Sequence, residues 1–360
     1  MREDVSSSWV ETLNTLYKYI EEHEQIDITQ NTTRIPKEYK YEFYQLFDTV
    51  RHQYIKQYYI EELKRSGLLS KAYCSTERYL TSKLALLDRI YLPTPLFKYI
   101  HNPLIGISAC LFDNLFDLIK HKIDINEFHY LSQKIIKSKI NNWLQYLFNY
   151  WVMLSITKEI DVAKVYNVPI IPISSKEVIK STEGNVNRPI PKVVPTRNIS
   201  FDKETYVGFV VPDYIIYSNK IKSFLSMRFG FQRPLWKATN YKNVGKWVDF
   251  SENTPAFHPI LLYTSSKLKD LALIADCQKF VKPDFLIICL TTIIDSKDAN
   301  KIADNHLNFF QPPNKTTLLN WNSSRVYEDS ILSQYSLLNT DLKDNRIKEM
   351  VSNIVKTINR

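Results

Sequence analysis

Residues 281–297 read VKPDFLIICLTTIIDSK, and they carry three side chains whose types and spacing could do chemistry: Asp284, Asp295 and Lys297. Carboxylates are hard oxygen ligands for a divalent cation such as Mg²⁺. An ammonium group two residues beyond the second acid would lie beside such an ion. The outcome depends on the backbone that positions them. On neighbouring strands of a hairpin the two carboxylates would meet. On one continuous strand, at about 3.3 Å per residue, they would lie more than roughly 30 Å apart and no ion could join them.

The pattern resembles the PD-(D/E)XK nuclease class. That resemblance implies Asp284 and Asp295 as ligands of a divalent metal, Mg²⁺, with Lys297 orienting or activating the attacking water and the metal stabilising charge on the phosphate. It also implies a restriction or defence role. Phe285 to Ile294 contains no Gly, Asn or Pro to turn a hairpin, and its only hydroxyl residues are Thr291 and Thr292. An apolar run of that length suits one buried strand of a parallel sheet. The helix glutamate usual in the class is missing, with only Asp270 and Asp276 to replace it, and CQKFV is too short for an intervening strand. Asp213 also follows a proline, but no acid-x-lysine lies close behind it. In the single-strand reading Asp284 starts a strand and Asp295 or Ser296 caps the next helix. Thr291, Thr292, Asp295, Ser265 and Asn320 would then gather at the carboxyl ends of parallel strands, where open α/β sheets bind ligands.

A second constellation is electrostatic. From Tyr217 to Trp247 there are seven basic residues and no acid: Lys220, Lys222, Arg228, Arg233, Lys237, Lys242 and Lys246. Phe224, Phe229, Phe231, Trp236, Tyr241 and Trp247 are interleaved with them. Cations neutralise phosphates and release counterions, and rings stack on unpaired bases. Lys220, Lys222, Arg228, Arg233, Trp236, Lys237, Lys242 and Lys246 are therefore the expected nucleic-acid contacts. The same residues would also suit a solvated face or an acidic partner, including the chain's own N-terminus. Charge is unevenly spread: residues 1–50 hold 5 basic and 10 acidic groups, whereas residues 151–250 hold 15 and 8.

Other chemistries lack their residues. There are only 6 glycines in 360 residues, and the nearest two, Gly230 and Gly245, are fifteen apart. A phosphate-cradling loop needs clustered glycines, so a P-loop or a dinucleotide fingerprint is excluded. Cys74, Cys110, Cys277 and Cys289 form no C-x-x-C pair and read as buried free thiols in a reducing compartment. The histidines, including His121 and His129, have no metal spacing, and no G-x-S-x-G elbow occurs.

These residues need elements to hold them. Trp9, Leu13, Leu16, Tyr17 and Ile20 recur at helical spacing behind a possible capping box, Ser8 to Glu11. Residues 38–66, 76–90 and the stretch LIGISACLFDNLFDLIKHK are further helix candidates, and Asn126 is placed to cap a long helix to about Ile156. Prolines at 169, 172, 189, 191 and 195 mark an extended or linking segment. After it, apolar runs at TYVGFVVPDYIIY, HPILLYTS, DFLIICLTTII and KTTLLNWN alternate with helical patterns at SKLKDLALIADCQKF, SKDANKIADNHLNFF and 341–358.

The expected fold is an all-α N-terminal domain, residues 1–160, a Pro-rich segment, 161–205, and an α/β domain, 206–360, with a mixed or mostly parallel sheet. The longest apolar-rich run, residues 143–156, has 14 residues, short of the roughly 20 a membrane span needs. The N-terminus, MREDVSSSWVE, lacks a signal-peptide pattern. A cytoplasmic protein is expected, with no membrane partner. Its expected function is nucleic-acid binding within a larger assembly, with the helical half meeting a partner protein and no cofactor. The alternatives are the Mg²⁺-dependent nuclease and a non-catalytic protein scaffold.

Overall fold

The structure is a computed structural model that describes residues 8–167, 192–201, 213–229, 249–250, 260–265, 285–291, 316–321, 336–342 and 344–359. The chain divides into two compact units, Met1–Lys71 with Thr94–Leu147, and Ala72–Pro93 with Phe148–Arg360. Helices come first and most strands later.

In the first unit, α1 (Ser8–Glu22) is followed by a small antiparallel pair, β1 (Asp27–Ile28) and β2 (Thr33–Arg34), and by α2 (Lys37–Tyr58). Apolar spacing decides which faces are buried. Trp9, Leu13 and Leu16 of α1 are buried, as are Phe43, Phe47, Val50 and Tyr54 of α2, one stripe at helical repeat. Trp9 meets Tyr54 edge-on at 5.2 Å and lies 5.5 Å from Phe128. The periodicity over 38–66 predicts one helix. The chain instead bends at Tyr59 (φ −134°), between α2 and α3 (Ile60–Arg78). Hydrogen bonds from Tyr59 N–H to Ile55 O and from Leu63 N–H to Tyr59 O continue the ladder, so the apolar repeat runs on through the bend.

Three short helices follow: α4 (Thr94–His101), α5 (Pro103–Ser108) and, after a 3₁₀ turn at Ala109–Leu111, α6 (Phe112–Ile119). The single helix expected over LIGISACLFDNLFDLIKHK is thus broken. Asn102 caps α5, its Oδ1 accepting the Ile105 N–H at 3.2 Å with Pro103 in the first turn. Gly106 lets α5 lie against α4, since a Cβ there would sit 2.4 Å from the Tyr99 Cα. The long helix is α7 (Ile125–Glu159), and its cap is Asp124 rather than Asn126: Asp124 Oδ1 accepts the Glu127 N–H at 2.8 Å.

The second unit takes in the last turns of α3. The helix expected over 76–90 ends in a wide turn at Tyr79–Lys83, where Leu84 N–H reaches Tyr79 O at 2.9 Å. Ala85 then reverses the chain with φ 48°, and β3 (Arg89–Tyr91) follows. β3 pairs in parallel with β6 (Asn198–Ser200). Among the described residues the main sheet has nine strands. Besides β4 (Val162–Asn167), β5 (Lys192–Thr196), β7 (Tyr214–Ser218), β8 (Ser223–Phe229) and β9 (Asp249–Phe250), it holds β10 (Ile260–Ser265), β11 (Phe285–Leu290), β12 (Thr316–Trp321) and β13 (Ser336–Thr340).

The strand order is β13-β12-β11-β10-β8-β7-β4-β5-β9. β8, β10, β11, β12 and β13 run parallel to one another; β7 pairs antiparallel with β8, and β4 antiparallel with β7, so β4 runs in the direction of β8. The carboxyl-terminal part of α7 serves this unit. Trp151, Val152, Met153, Leu154 and Ile156 are buried, Tyr150 stacks on Phe201 at 4.1 Å, and the Tyr214 hydroxyl donates to Met153 O at 3.2 Å. The last helix, α8 (Asp344–Ile358), buries Ile347, Met350, Val351 and Ile354.

Candidate nucleic-acid interface

The basic block opens inside the sheet. β7 and β8 form an antiparallel hairpin with Tyr214 opposite Met227 and Ser218 opposite Ser223. Leu225, Ser226 and Met227 are buried, and so is Phe224, whose ring lies 5.0 Å from Tyr217 and 5.6 Å from Tyr166. The first of the interleaved rings is therefore a core residue and offers no face for a base. Its first two cations fare differently. Lys220 and Lys222 are exposed on either side of buried Ile221 in the turn that joins the two strands.

The turn is tied to the end of α7. Ser218 Oγ donates to Ile160 O and accepts the Lys220 N–H at 3.2 Å, and Asn219 N–H reaches Asp161 O at 3.0 Å. Lys222 closes the turn at φ 49°. The Lys220 ammonium donates to Glu159 O at 3.1 Å, so it meets the negative end of a 35-residue helix. That position gives Lys220 a structural role in addition to any external one, whereas no ion pair engages Lys222 among the described residues.

Arg228 lies near the other end of β8, in register with Tyr263 of β10. Six residues of extended chain separate it from Lys222, about 20 Å. The described cations of the block thus stand at two ends of one strand. Arg233, Trp236, Lys237, Lys242 and Lys246 lie outside the described residues.

Asp284, Asp295 and Lys297 also lie outside the described residues, as does Thr292. Between them the apolar run forms β11, whose neighbours β10 and β12 are both parallel to it. Phe285, Ile287, Cys289 and Thr291 are buried at alternate positions. Among the described residues no group of three or more His, Cys, Asp or Glu is placed to hold a metal ion. At the carboxyl edge of the parallel strands stand Ser265, Thr291, Asn320 and Thr340. Thr340 Oγ is occupied, accepting the Leu342 N–H at 3.1 Å.

The thiols and histidines have structural surroundings. Burial pushes the Cys74, Cys110 and Cys289 thiols up, away from the reactive thiolate. His129 Nδ1 is 2.9 Å from the Tyr54 hydroxyl and its Nε2 is 2.6 Å from the Gln133 amide nitrogen. His121 stacks on Tyr17. No helix among the described residues is long and apolar enough to cross a membrane.

One charge feature escapes a scan by fifty-residue blocks. Residues 101–150 hold 5 basic and 4 acidic groups and look neutral, yet all 4 acids precede residue 128. From Phe128 to Lys158, α7 carries four lysines and no acid. Position within the block, rather than its sum, was the legible signal.

Comparison of the chain with models of protein families, with curated proteins and with solved structures gives no match.

Proposed function

We propose that this protein binds nucleic acid as one component of a larger assembly. In this reading the second half of the chain forms an α/β domain, residues 206–360, that carries the contact, and the helical residues 1–160 meet a partner protein. The observation that carries the proposal is the acid-free block from Tyr217 to Trp247, with its seven cations and, beyond the buried Phe224, five interleaved Phe, Tyr and Trp side chains. A polyanion is the ligand that such a run attracts without sequence preference. The exposed turn that presents Lys220 and Lys222 supports the reading at its amino-terminal end.

The test is fluorescence anisotropy with labelled single- and double-stranded DNA and RNA across a salt series. Binding is expected to weaken steeply with salt and to be lost when Arg233 and Lys237 are both replaced by Glu. Absence of binding at low salt, or binding indifferent to that double substitution, overturns the assignment to this block. Cleavage of the probe on adding Mg²⁺, abolished by both Asp284→Ala and Asp295→Ala, would replace it with metal-dependent phosphodiester hydrolysis.

A further inference from the structure

The acid-free part of α7 has a face. Tyr130, Lys134, Lys137, Ser138 and Asn141 are all exposed, and they recur at i, i+4, i+7, i+8 and i+11. At 100° per residue these positions fall within one arc of about 100°, and at 1.5 Å per residue they extend about 16 Å along the axis. The opposite side, Phe128, Ser132, Ile136, Ile140, Trp143 and Leu147, is buried. The stripe is thus the solvent side of an amphipathic helix.

Among the described residues neither Lys134 nor Lys137 takes part in an ion pair, although surface ion pairs occur elsewhere, for example Lys64 with Glu61 at 2.7 Å. Lys139 is exposed but lies about 100° round the helix from the nearest residue of the stripe, on the side of Cys110, where its charge opposes the burial that raises that thiol. The carboxylate nearest along this face is Glu127, nearly two turns before Lys134, and Asp124 beyond it is committed to the helix cap. Tyr130 is 65% exposed, an aromatic ring left in water at the end of a lysine row.

From this arrangement we infer that the exposed face of α7, Tyr130 to Asn141, is a second nucleic-acid contact that holds the phosphate backbone of a single strand. The inference rests on the nucleic-acid reading above, but on different residues in the other compact unit. Two ammonium groups one turn apart on a face that carries no acid from Phe128 onward match a phosphate row by charge. The exposed ring supplies a base-stacking platform that an acidic protein surface would not require. Asn141 and Ser138 add uncharged donors to the same row.

The experiment measures anisotropy of a labelled, mixed-sequence single-stranded DNA oligonucleotide with the full chain. Four proteins are compared: the wild type, Lys134→Glu/Lys137→Glu, the same two positions changed to Arg, and Arg233→Glu/Lys237→Glu. The Lys134/Lys137 Glu variant is expected to bind at least tenfold more weakly, with the slope of log K against log salt reduced by about 1.4, since each neutralised phosphate contributes about 0.7 for single strands. The Lys134/Lys137 Arg variant should bind as the wild type does. Tyr130→Ala is expected to lose about tenfold, the range for one stacked base.

If the wild type binds and the Arg233/Lys237 variant fails while the Lys134/Lys137 Glu variant binds normally with an unchanged slope, the α7 contact is wrong and the basic block stands. If the wild type does not bind at low salt, both readings fall together. A thermal melt accompanies each variant. Should the Lys134/Lys137 Glu protein melt early, the corresponding double Gln variant is measured in its place, and unchanged affinity there overturns the contact equally.

Discussion

Tyr59 marks the bend between α2 and α3, and its ring is buried while its hydroxyl finds no hydrogen-bond partner. Burial disfavours the phenolate, and the Tyr59 pKa is pushed up to about 12 from its ordinary value of 10.0, with Glu62 adding to the rise. Tyr54, Tyr73, Tyr99 and Tyr214 are raised in the same direction, again chiefly by burial. The linkage has a definite sign. Above pH 10.0 the unfolded chain loses phenol protons that the native state still holds, so the native state binds more protons and stability falls as pH rises. Stability should therefore be level with respect to these groups below pH 10.0 and decline from there to about 12. Urea midpoints measured across that range are expected to fall, and Tyr59→Phe should make the fall shallower. Midpoints unchanged between neutral pH and pH 12 would show that these phenols are not held neutral by burial. Nothing in the local sequence around Tyr59 marks it as a bend, because the hydrogen bonds and apolar spacing on either side match an unbroken helix.

At the level of elements, much of the helical first unit was legible and several junctions were not. α1, α2, α7 and α8 follow apolar periodicity, which depends only on residue types a turn apart. The cap of α7 shows the limit of that reasoning. Asn126 and Asp124 are both good capping residues, two positions apart, and only the backbone decides which oxygen faces the Glu127 N–H. Asp124→Ala is expected to lower stability by about 1 kcal/mol, the usual effect of removing such a cap, whereas Asn126→Ala should change it by only a few tenths. A larger loss from Asn126→Ala than from Asp124→Ala in urea denaturation would return the cap to Asn126. β8 was hidden for another reason. Its residues belong to a run whose cations drew it toward a surface reading, while Leu225 and Met227, buried in the sheet, are too few to declare a strand. β13, SLLNT, is five residues with no alternation and no flanking turn signal, so only its pairing with β12 identifies it. β11, FLIICL, was legible as an uninterrupted apolar run, which strands paired in parallel on both sides tend to be, and β10 and β12 as shorter β-rich runs with polar ends. The candidate metal residues and most of the basic block gain no geometry from these strands, since they lie beyond the described residues at either end.

The whole molecule is organised less simply than its composition suggests. Composition changes from helix-rich to Pro-rich near residue 160, and the compact units exchange the chain at 71/72, 93/94 and 147/148. Residues 72–93 belong with the later part of the chain. β3 pairs with β6, Asp88 N–H reaches Arg197 O at 2.6 Å, and Arg197 Nε donates to Asp88 at 2.9 Å. The stretch of α7 from Phe148 onward has the same allegiance, through Tyr150 with Phe201 and Tyr214 with Met153. A fragment of residues 1–160 would keep both segments and lose what covers them. Phe148 and Tyr150 would lose the rings of Trp321 and Phe201 against which they pack, and at about 1.5–3 kcal/mol for each large side chain exposed, that is a substantial part of the 5–15 kcal/mol that holds a domain together. Expressed alone, residues 1–160 should bind a hydrophobic dye and unfold without a sharp transition, and co-expression with 161–360 should restore both properties. If the fragment instead unfolds cooperatively at the midpoint of the full chain and binds no dye, the helical half is autonomous. Residues 72–93 and the end of α7 would then owe nothing to the strands that follow. The distinction matters for function, because the α7 face at Tyr130–Asn141 and the basic block at 217–247 are carried by different units. Only if the first unit folds without the second can an isolated fragment be used to ask which of the two surfaces a nucleic acid prefers.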